Sequence, residues 1–173
     1  MATWMKKILL LSAVLPLMVG CAYTPKVIIP PHIKRIDIPI FANKTFRYGL
    51  EERLTEGVIQ AFIIDGRLIV ARSGKADAKL EGEIISYSKE PLRYDDEGYV
   101  SEYKIWIRTS LLFYDLIHKE ALWSDELEES VTYIPEASFL VDKGFSPETE
   151  DEAEDRLLKK LSIRIASRTI DGW

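Results

Sequence analysis

The stretch EYKIWIRTSLLFYD, residues 102–115, alternates apolar and polar side chains along its length. Because successive side chains of a β-strand point to opposite faces of a sheet, this period predicts a strand. One predicted face carries Tyr103, Ile105, Ile107, Thr109, Leu111 and Phe113. The opposite face carries Lys104, Trp106, Arg108, Ser110, Leu112 and Tyr114. The pattern therefore predicts a sheet with one buried face.

Two neighbouring segments have the same character. Residues 77–88 place Leu80, Gly82 and Ile84 on one side, and residues 121–133 place Trp123, Leu127 and Val131 on one side. A short turn at 116–120 separates the second segment from the opening stretch. These three segments predict consecutive long strands joined by tight connections.

Two segments have a helical period instead. In residues 49–65, apolar side chains recur every four positions at Leu50, Leu54, Val58 and Phe62, and Asp65-Gly66 then ends the pattern. Residues 148–170 repeat it with Ala153, Leu157, Leu161 and Ile165. Each segment therefore predicts an amphipathic helix with one buried stripe.

The order of elements predicts the fold class. Residues 35–41 predict a first strand, with Pro39 at an edge or near its end, and residues 67–71 a short one. The resulting order is β-α-β-β-β-β-α, with residues 134–147 irregular. We expect an α+β two-layer sandwich, in which two helices pack on one face of a mixed, mainly antiparallel sheet of four to five strands. The other face is left to meet solvent, a ligand or a partner.

The N-terminus has the features of an export signal. Lys6 and Lys7 precede an apolar run over residues 8–19, which is shorter than the roughly 20 residues that a membrane-spanning helix needs. Residues 1–20 therefore predict a cleaved signal peptide. Residues 18–21, Met-Val-Gly-Cys, resemble the bacterial lipobox, in which the cysteine is lipidated and becomes the first mature residue. The alternative is an ordinary signal peptide followed by an incidental cysteine.

Cys21 is the only cysteine in the chain, so it has no partner for an intramolecular disulfide. Lipidation accounts for it, and two or more acyl chains hold a protein stably at a membrane. Ala22 stands where the known retention rule for the inner membrane expects aspartate, which favours the periplasmic face of the outer membrane. Residues 21–34 are proline-rich and predict an extended tether, with a single domain over residues 35–173.

The net negative charge of the mature chain argues against nucleic acid and against anionic lipid as general partners. Without Lys6 and Lys7, 21 basic residues remain against 28 acidic ones. A net acidic domain does not favour binding to nucleic acid or a general attraction to anionic lipid. We expect any anionic ligand to be held by a local basic cluster.

Motifs of catalysis are scarce. His32 lies in the predicted tether and His118 in a predicted turn, with no second cysteine or neighbouring histidine to complete a metal site. No glycine-rich phosphate loop or nucleophile elbow is present. We expect neither an enzyme nor a cofactor or metal, apart from covalent lipid on Cys21. A hydrolase with an unrecognised site is the alternative, and a deep pocket with convergent polar groups would favour it.

Three basic groups are candidates for contact with a lipid phosphate or a protein partner. One of them, Lys160, Arg164 and Arg168 on the predicted helix 148–170, is explained better by the helix dipole, because acidic residues fill the first turns of that helix and basic residues its later turns. The other two belong to the predicted sheet and its hairpin. Lys104 and Arg108 flank Trp106 on the predicted outer face of strand 102–115. Lys89 and Arg93 lie in a predicted hairpin before that strand. Cationic side chains next to aromatic ones suit both phosphate and protein surfaces.

The order of these segments resembles a known family. The segments that carry the resemblance are IDIPIFANKT at 36–45, GLEERLTEGVIQAF at 49–62, ADAKLEGEIISY at 76–87, EYKIWIRTSLLFYD at 102–115 and ALWSDE at 121–126. With the lipobox, they make residues 18–170 similar to the lipopolysaccharide-assembly lipoprotein family, LptE. No single segment is specific, and their order and spacing carry the resemblance.

The resemblance implies a non-enzymatic function. Members of that family plug a large outer-membrane β-barrel, the lipopolysaccharide translocon LptD, help it to assemble, and bind lipopolysaccharide in transit. The alternative is a periplasmic outer-membrane lipoprotein that activates a peptidoglycan synthase or serves another envelope-assembly complex. The short predicted tether favours the plug, because it keeps the domain close to the membrane.

Overall fold

The computed structural model describes residues 29–72 and 74–171. Two helices and a mixed sheet form an α+β fold, as predicted. The elements are β1 Arg35–Asp37, β2 Ala42–Asn43, α1 Leu50–Asp65, β3 Ile69–Val70, β4 Ala78–Tyr94, β5 Val100–Asp115, β6 Glu120–Tyr133 and α2 Glu150–Asp171. The predicted signal peptide and Cys21 lie outside the described residues.

The sheet is built around the long hairpin of β4 and β5. Strand order is β3-β1-β4-β5-β6, and β2 also pairs with β4. The β4–β5 and β5–β6 pairs are antiparallel, whereas β1 and β2 run parallel to β4. Among the described residues the sheet has six strands, one more than the upper number expected.

The additional strand arises because the predicted strand 35–41 is interrupted. β1 ends at Asp37, and pairing resumes at Ala42 in β2. Pro39 lies in the gap, and proline has no N–H to donate to a neighbouring strand. Phe41 is nevertheless buried, and its amide donates to the Thr55 hydroxyl of α1 at 3.0 Å. The interruption therefore turns the chain while Ile38 and Phe41 stay buried, whereas Ile40 is exposed.

Both helices pack on the same face of the sheet, where one core forms. The stripes predicted for the helices are all fully buried there: Leu50, Leu54, Val58 and Phe62 on α1, and Ala153, Leu157, Leu161 and Ile165 on α2. The predicted inner face of β5 meets them with Ile105, Ile107, Leu111 and Phe113. Burial of this apolar surface is the main term that stabilises the fold.

Local hydrogen bonds determine where α1 ends and where α2 begins. Gly66 adopts a left-handed φ of 74°, and its amide donates to the Phe62 carbonyl at 3.0 Å, which ends α1. Before α2, the Thr149 hydroxyl accepts from the Glu152 amide at 3.2 Å, and the Glu152 carboxylate accepts from the Thr149 amide at 2.8 Å. This reciprocal pair is a capping box, and it fixes where α2 begins.

The described N-terminal segment is packed against the domain before β1 begins. Ile33 is only 2% exposed and belongs to the core. The Asp77 carboxylate accepts hydrogen bonds from the amides of Lys34 and Arg35 at 3.1 and 2.9 Å, and from the Arg35 guanidinium at 2.7 Å. The last residues of the predicted tether 21–34 therefore form part of the folded domain. Within the described ranges, no helix has the length and apolar character needed to cross a membrane.

Candidate functional site

The candidate site is the face of β4, β5 and β6 opposite the helices, here called the open face. In its centre lie the side chains of Lys104, Trp106 and Arg108, which the sequence placed on the outer side of β5. Both helices contribute to the core on the other face, so no helix of the described chain covers this one. A sheet that is covered by helices on one side only presents a broad surface on its other side.

Trp106 lies on the open face with small side chains on both neighbouring strands. Its partners in register are Ser88 on β4 and Ser130 on β6. The Lys104 amine lies 5.7 Å from the centroid of the indole ring, within cation–π range. Because serines flank it on both sides, the partly buried indole is open to contact from outside the sheet. Tryptophan in such a setting is a frequent anchor of protein interfaces.

Arg108 is already paired within the sheet. Its Nη2 and Nε atoms donate to Glu128 Oε2 at 2.8 and 3.0 Å. That hydrogen bond, together with the charge of the carboxylate, raises the pKa of the Arg108 guanidinium. No carboxylate of the described residues makes an ion pair with Lys104 within 4.0 Å. Lys104 can therefore bind an external anion directly. Arg108 must first release Glu128.

The open face as a whole is acidic. Its strand register places these acidic side chains on it: Glu81, Glu83, Glu90, Glu102, Glu126 and Glu128. The basic side chains on it are Lys79, Arg93, Lys104 and Arg108. A surface with this balance favours a polar protein partner that carries complementary cations over a phosphate-rich surface.

The prediction that Lys89 lies in a hairpin loop is wrong. β4 continues to Tyr94, and Lys89 lies within it on the helix-facing side, opposite Ile105. Its amine donates to Glu150 of α2 at 2.6 Å and lies 4.5 Å from the Tyr103 ring centroid. Pro91 is tolerated because β2 pairs only with Glu83 and Ile84, which leaves this part of β4 at an edge. Lys89 therefore joins α2 to the sheet.

Arg93 lies near the end of β4 and on the open face, opposite Glu102. Its guanidinium is 3.5 Å from the Glu102 carboxylate, and the side chain is mostly exposed. The turn beyond it is held by Asp95, whose carboxylate accepts from the amides of Glu97 and Tyr99 at 3.0 and 2.7 Å. β4 alone has 17 residues and spans roughly 50 Å, so Arg93 is far from the N-terminal end of the sheet.

The two histidines, which the sequence places in a tether and in a turn without a neighbouring histidine, come together in the structure. Both imidazoles contact the buried carboxylate of Asp115, the last residue of β5: His32 Nε2 at 2.6 Å and His118 Nδ1 at 3.0 Å. His32 and Asp115 come together only because the segment before β1 packs at this end of the sheet. Sequence periodicity carries no signal for such a contact.

Comparison with protein families gives a match that spans most of the described domain. The model of the family described as LptE, lipopolysaccharide-assembly, matches residues 33–170. The chain belongs to the LptE family. The match begins at Ile33, the first fully packed core residue, and ends at Ile170 in the last turn of α2. The resemblance predicted from the sequence is therefore confirmed.

Solved structures share the LptE-like fold. A protein from Xanthomonas campestris aligns with a TM-score of 0.53 at 14% identity, covering 82% of this chain and 88% of that one. An uncharacterized lipoprotein B from Nitrosomonas europaea aligns with a TM-score of 0.52 at 14% identity, covering 79% and 84%. A hypothetical protein from Chlamydia trachomatis gives 0.52 at 11% identity, covering 78% and 96%. No curated protein matches this chain. These likenesses establish the architecture.

Proposed function

We propose that this LptE-family chain is an outer-membrane lipoprotein that plugs and helps to assemble an LptD-type β-barrel. In this proposal it also binds lipopolysaccharide on its way to the cell surface, and lipid on Cys21 anchors it to the periplasmic face of the membrane. The observation that carries the proposal is the family match over residues 33–170, nearly the whole packed domain. No step of this function needs a cofactor.

The open face is the proposed barrel-docking surface. It is broad and helix-free, and it has Trp106 in its centre with small neighbours on both sides. A plug needs a surface whose shape does not change on docking, and a sheet backed by a packed core meets that need. In this proposal Lys104 and Arg108, on either side of Trp106, pair with acidic groups of the barrel wall, and the acidic side chains of the same face meet its polar and basic groups.

Lys104 is the first candidate for contact with a lipopolysaccharide phosphate. It has no ion-pair partner among the described residues, and the Trp106 ring beside it offers an apolar surface. Arg108 and Arg93 are secondary candidates, because each has a carboxylate within 3.5 Å. Lys89 is the weakest candidate, since its amine is held by Glu150 beneath the helix.

The position of the anchor favours the plug over a peptidoglycan-synthase activator. Eight peptide steps separate Cys21 from Ile29, where the described part of the chain begins. Even fully extended, they span at most about 30 Å. A lipid on Cys21 would therefore keep the domain next to the membrane, where a barrel is within reach.

Charge reversal on the open face tests this proposal. The double variant Lys104→Glu and Arg108→Glu should lose retention of the barrel in a mild-detergent pull-down. The matched control reverses two exposed lysines of α2, Lys159→Glu and Lys160→Glu, and should retain the barrel as the parent protein does. Thermal unfolding of both variants verifies the fold. Equal retention by the two variants would remove the open face from the docking surface.

A further inference from the structure

The second site of interest lies at the end of the sheet where the N-terminal segment enters. It consists of His32 before β1, Asp115 at the end of β5, and His118 in the turn that leads to β6. Both histidines of the chain contact this single aspartate. The two imidazole rings lie edge to face with centroids 4.4 Å apart. Three potential metal ligands therefore meet at one point, from parts of the chain that are distant in sequence.

The donor set suits a divalent transition metal. Each residue offers one ligand atom, and the three atoms lie within 4.8 Å of one another. Around tetrahedral Zn²⁺, bonds of roughly 2.0–2.2 Å separate neighbouring ligand atoms by about 3.4 Å. The Asp115 Oδ2 atom is 2.6 and 3.0 Å from the two imidazole nitrogens, so small side-chain rotations bring all three into that range. Two imidazoles and one carboxylate leave a fourth position for water, a common arrangement for zinc.

The aspartate is held in a way that prepares it to bind a cation. Its other oxygen, Oδ1, accepts from the amides of Ile117 and His118 at 2.8 and 3.0 Å. Two backbone donors therefore fix the orientation of the carboxylate, as is usual for metal-binding carboxylates.

Access to the site is also adequate. The Asp115 side chain is fully buried, while the side chains of His32 and His118 are 30% and 56% exposed. An ion can thus enter between the imidazoles and reach the carboxylate without unfolding the domain. Among the described residues, no lysine or arginine pairs with Asp115 to compete for it.

We propose that His32, Asp115 and His118 bind a divalent transition metal ion, with Zn²⁺ the best fit to the donor set. The bound ion fastens the segment that carries His32 to the β5–β6 turn. This inference does not rest on the proposed function.

The first test is a Zn²⁺ titration of the full-length protein, purified from membranes in mild detergent and stripped of metal with a chelator. We expect one equivalent of Zn²⁺ per chain. His118→Gln keeps the backbone amide that Asp115 needs and should weaken binding at least about tenfold. The matched control is Glu120→Gln, an acidic neighbour outside the triad, which should bind as the parent does. Cys21 is the same in all three proteins, so the difference reports the triad alone.

A second readout tests the fastening. Zn²⁺ should slow amide hydrogen exchange in residues 29–36 of the parent protein, and His32→Gln should lose that effect. Absence of saturable binding by the parent, or equal binding by His118→Gln, would overturn the metal site. Binding that leaves the exchange of residues 29–36 unchanged would overturn the fastening. Asp115→Asn is not the variant of choice, because loss of that buried carboxylate also disturbs the turn.

Discussion

His32 and Asp115 lie 83 positions apart in the sequence, yet His32 Nε2 is 2.6 Å from the Asp115 carboxylate. A second aspartate, Asp77, holds Lys34 and Arg35 at the same end of the sheet, where Ala78 and Asp115 are partners in register. Two buried carboxylates thus hold the segment that enters the domain. Together they fix residues 32–35 at this end of the sheet.

Asp77 should contribute measurably to stability. It is 7% exposed and accepts from two amides and the Arg35 guanidinium. Asp77→Asn removes the charge and places an amide group against those donors, so we expect a loss of about 1–3 kcal/mol in the free energy of unfolding at pH 7. Glu81→Gln, which removes an exposed partner of Lys79, is the control and should cost less than about 1 kcal/mol. Urea unfolding measures both.

The Asp77 contribution should depend on pH. Hydrogen bonding to Arg35, with that of the two amides, lowers the pKa of Asp77 to about 2 in the folded protein, against roughly 3.9 in the unfolded chain. The stabilisation is therefore complete above about pH 4 and is lost as pH falls toward 2. Unfolding curves of the parent and Asp77→Asn should converge as pH falls through that window. A constant difference from pH 7 to pH 2 would contradict the assigned interaction.

Placing a charge in the core should unfold the domain. Leu161 is fully buried on α2, and Leu161→Asp leaves a carboxylate without a partner there. Leu54→Asp should do the same from α1, since Leu54 is equally buried. Lys160→Asp, one position away and exposed, should leave the melting transition nearly unchanged. A native melting curve for Leu161→Asp would show that the helix faces are misassigned.

Gly82 allows the Phe41 ring to lie directly on β4. A methyl group at Gly82 would be 2.5–2.7 Å from three carbons of that ring, and the Phe41 side chain is buried, so the ring must shift within the core to make room. Gly82→Ala should therefore lower stability by about 1–3 kcal/mol. Combined with Phe41→Leu, the loss should fall short of the sum of the two single losses by about 1 kcal/mol. Strict additivity would mean that the two residues do not share this space.

Lys89 and Lys104 permit a matched test of the two sheet faces. Lys89→Met keeps the aliphatic stem but loses the bond to Glu150 and the contact with Tyr103, and should lower stability by about 1 kcal/mol. Barrel retention per folded molecule should not change. Lys104→Met should do the reverse, weakening retention with little effect on stability. The assignment fails if Lys89→Met lowers retention as much as Lys104→Met at unchanged stability.

Local patterns predicted much of this fold. The four-residue period of Leu50, Leu54, Val58 and Phe62 and the alternation across β5 each identify a buried face, and the structure confirms both. Such periods follow from backbone geometry alone, so one sequence contains enough information to identify them. The open face could also be predicted from these periods, because they identify only two helices, which are too few to cover both sides of the sheet.

Long-range polar contacts could not be predicted in the same way. Glu154 lies near the start of α2, where acidic residues also suit the helix dipole. It is fully buried and accepts from Arg47 at 2.9 Å and from Arg53. Arg47 is 107 positions away from it, and no period links them. The sequence also predicts a hairpin at Lys89, whereas β4 continues through Pro91, because this part of the strand lies at a free edge.

Recovery of a partner from the outer membrane is the decisive test of the transport function. The tagged, lipidated protein would be purified in mild detergent, and the co-purifying proteins identified and quantified. We expect one large β-barrel of the LptD type in equal amount, with its recovery reduced by Lys104→Glu and Arg108→Glu. Recovery of a peptidoglycan synthase, or of no partner at all, would contradict the transport function.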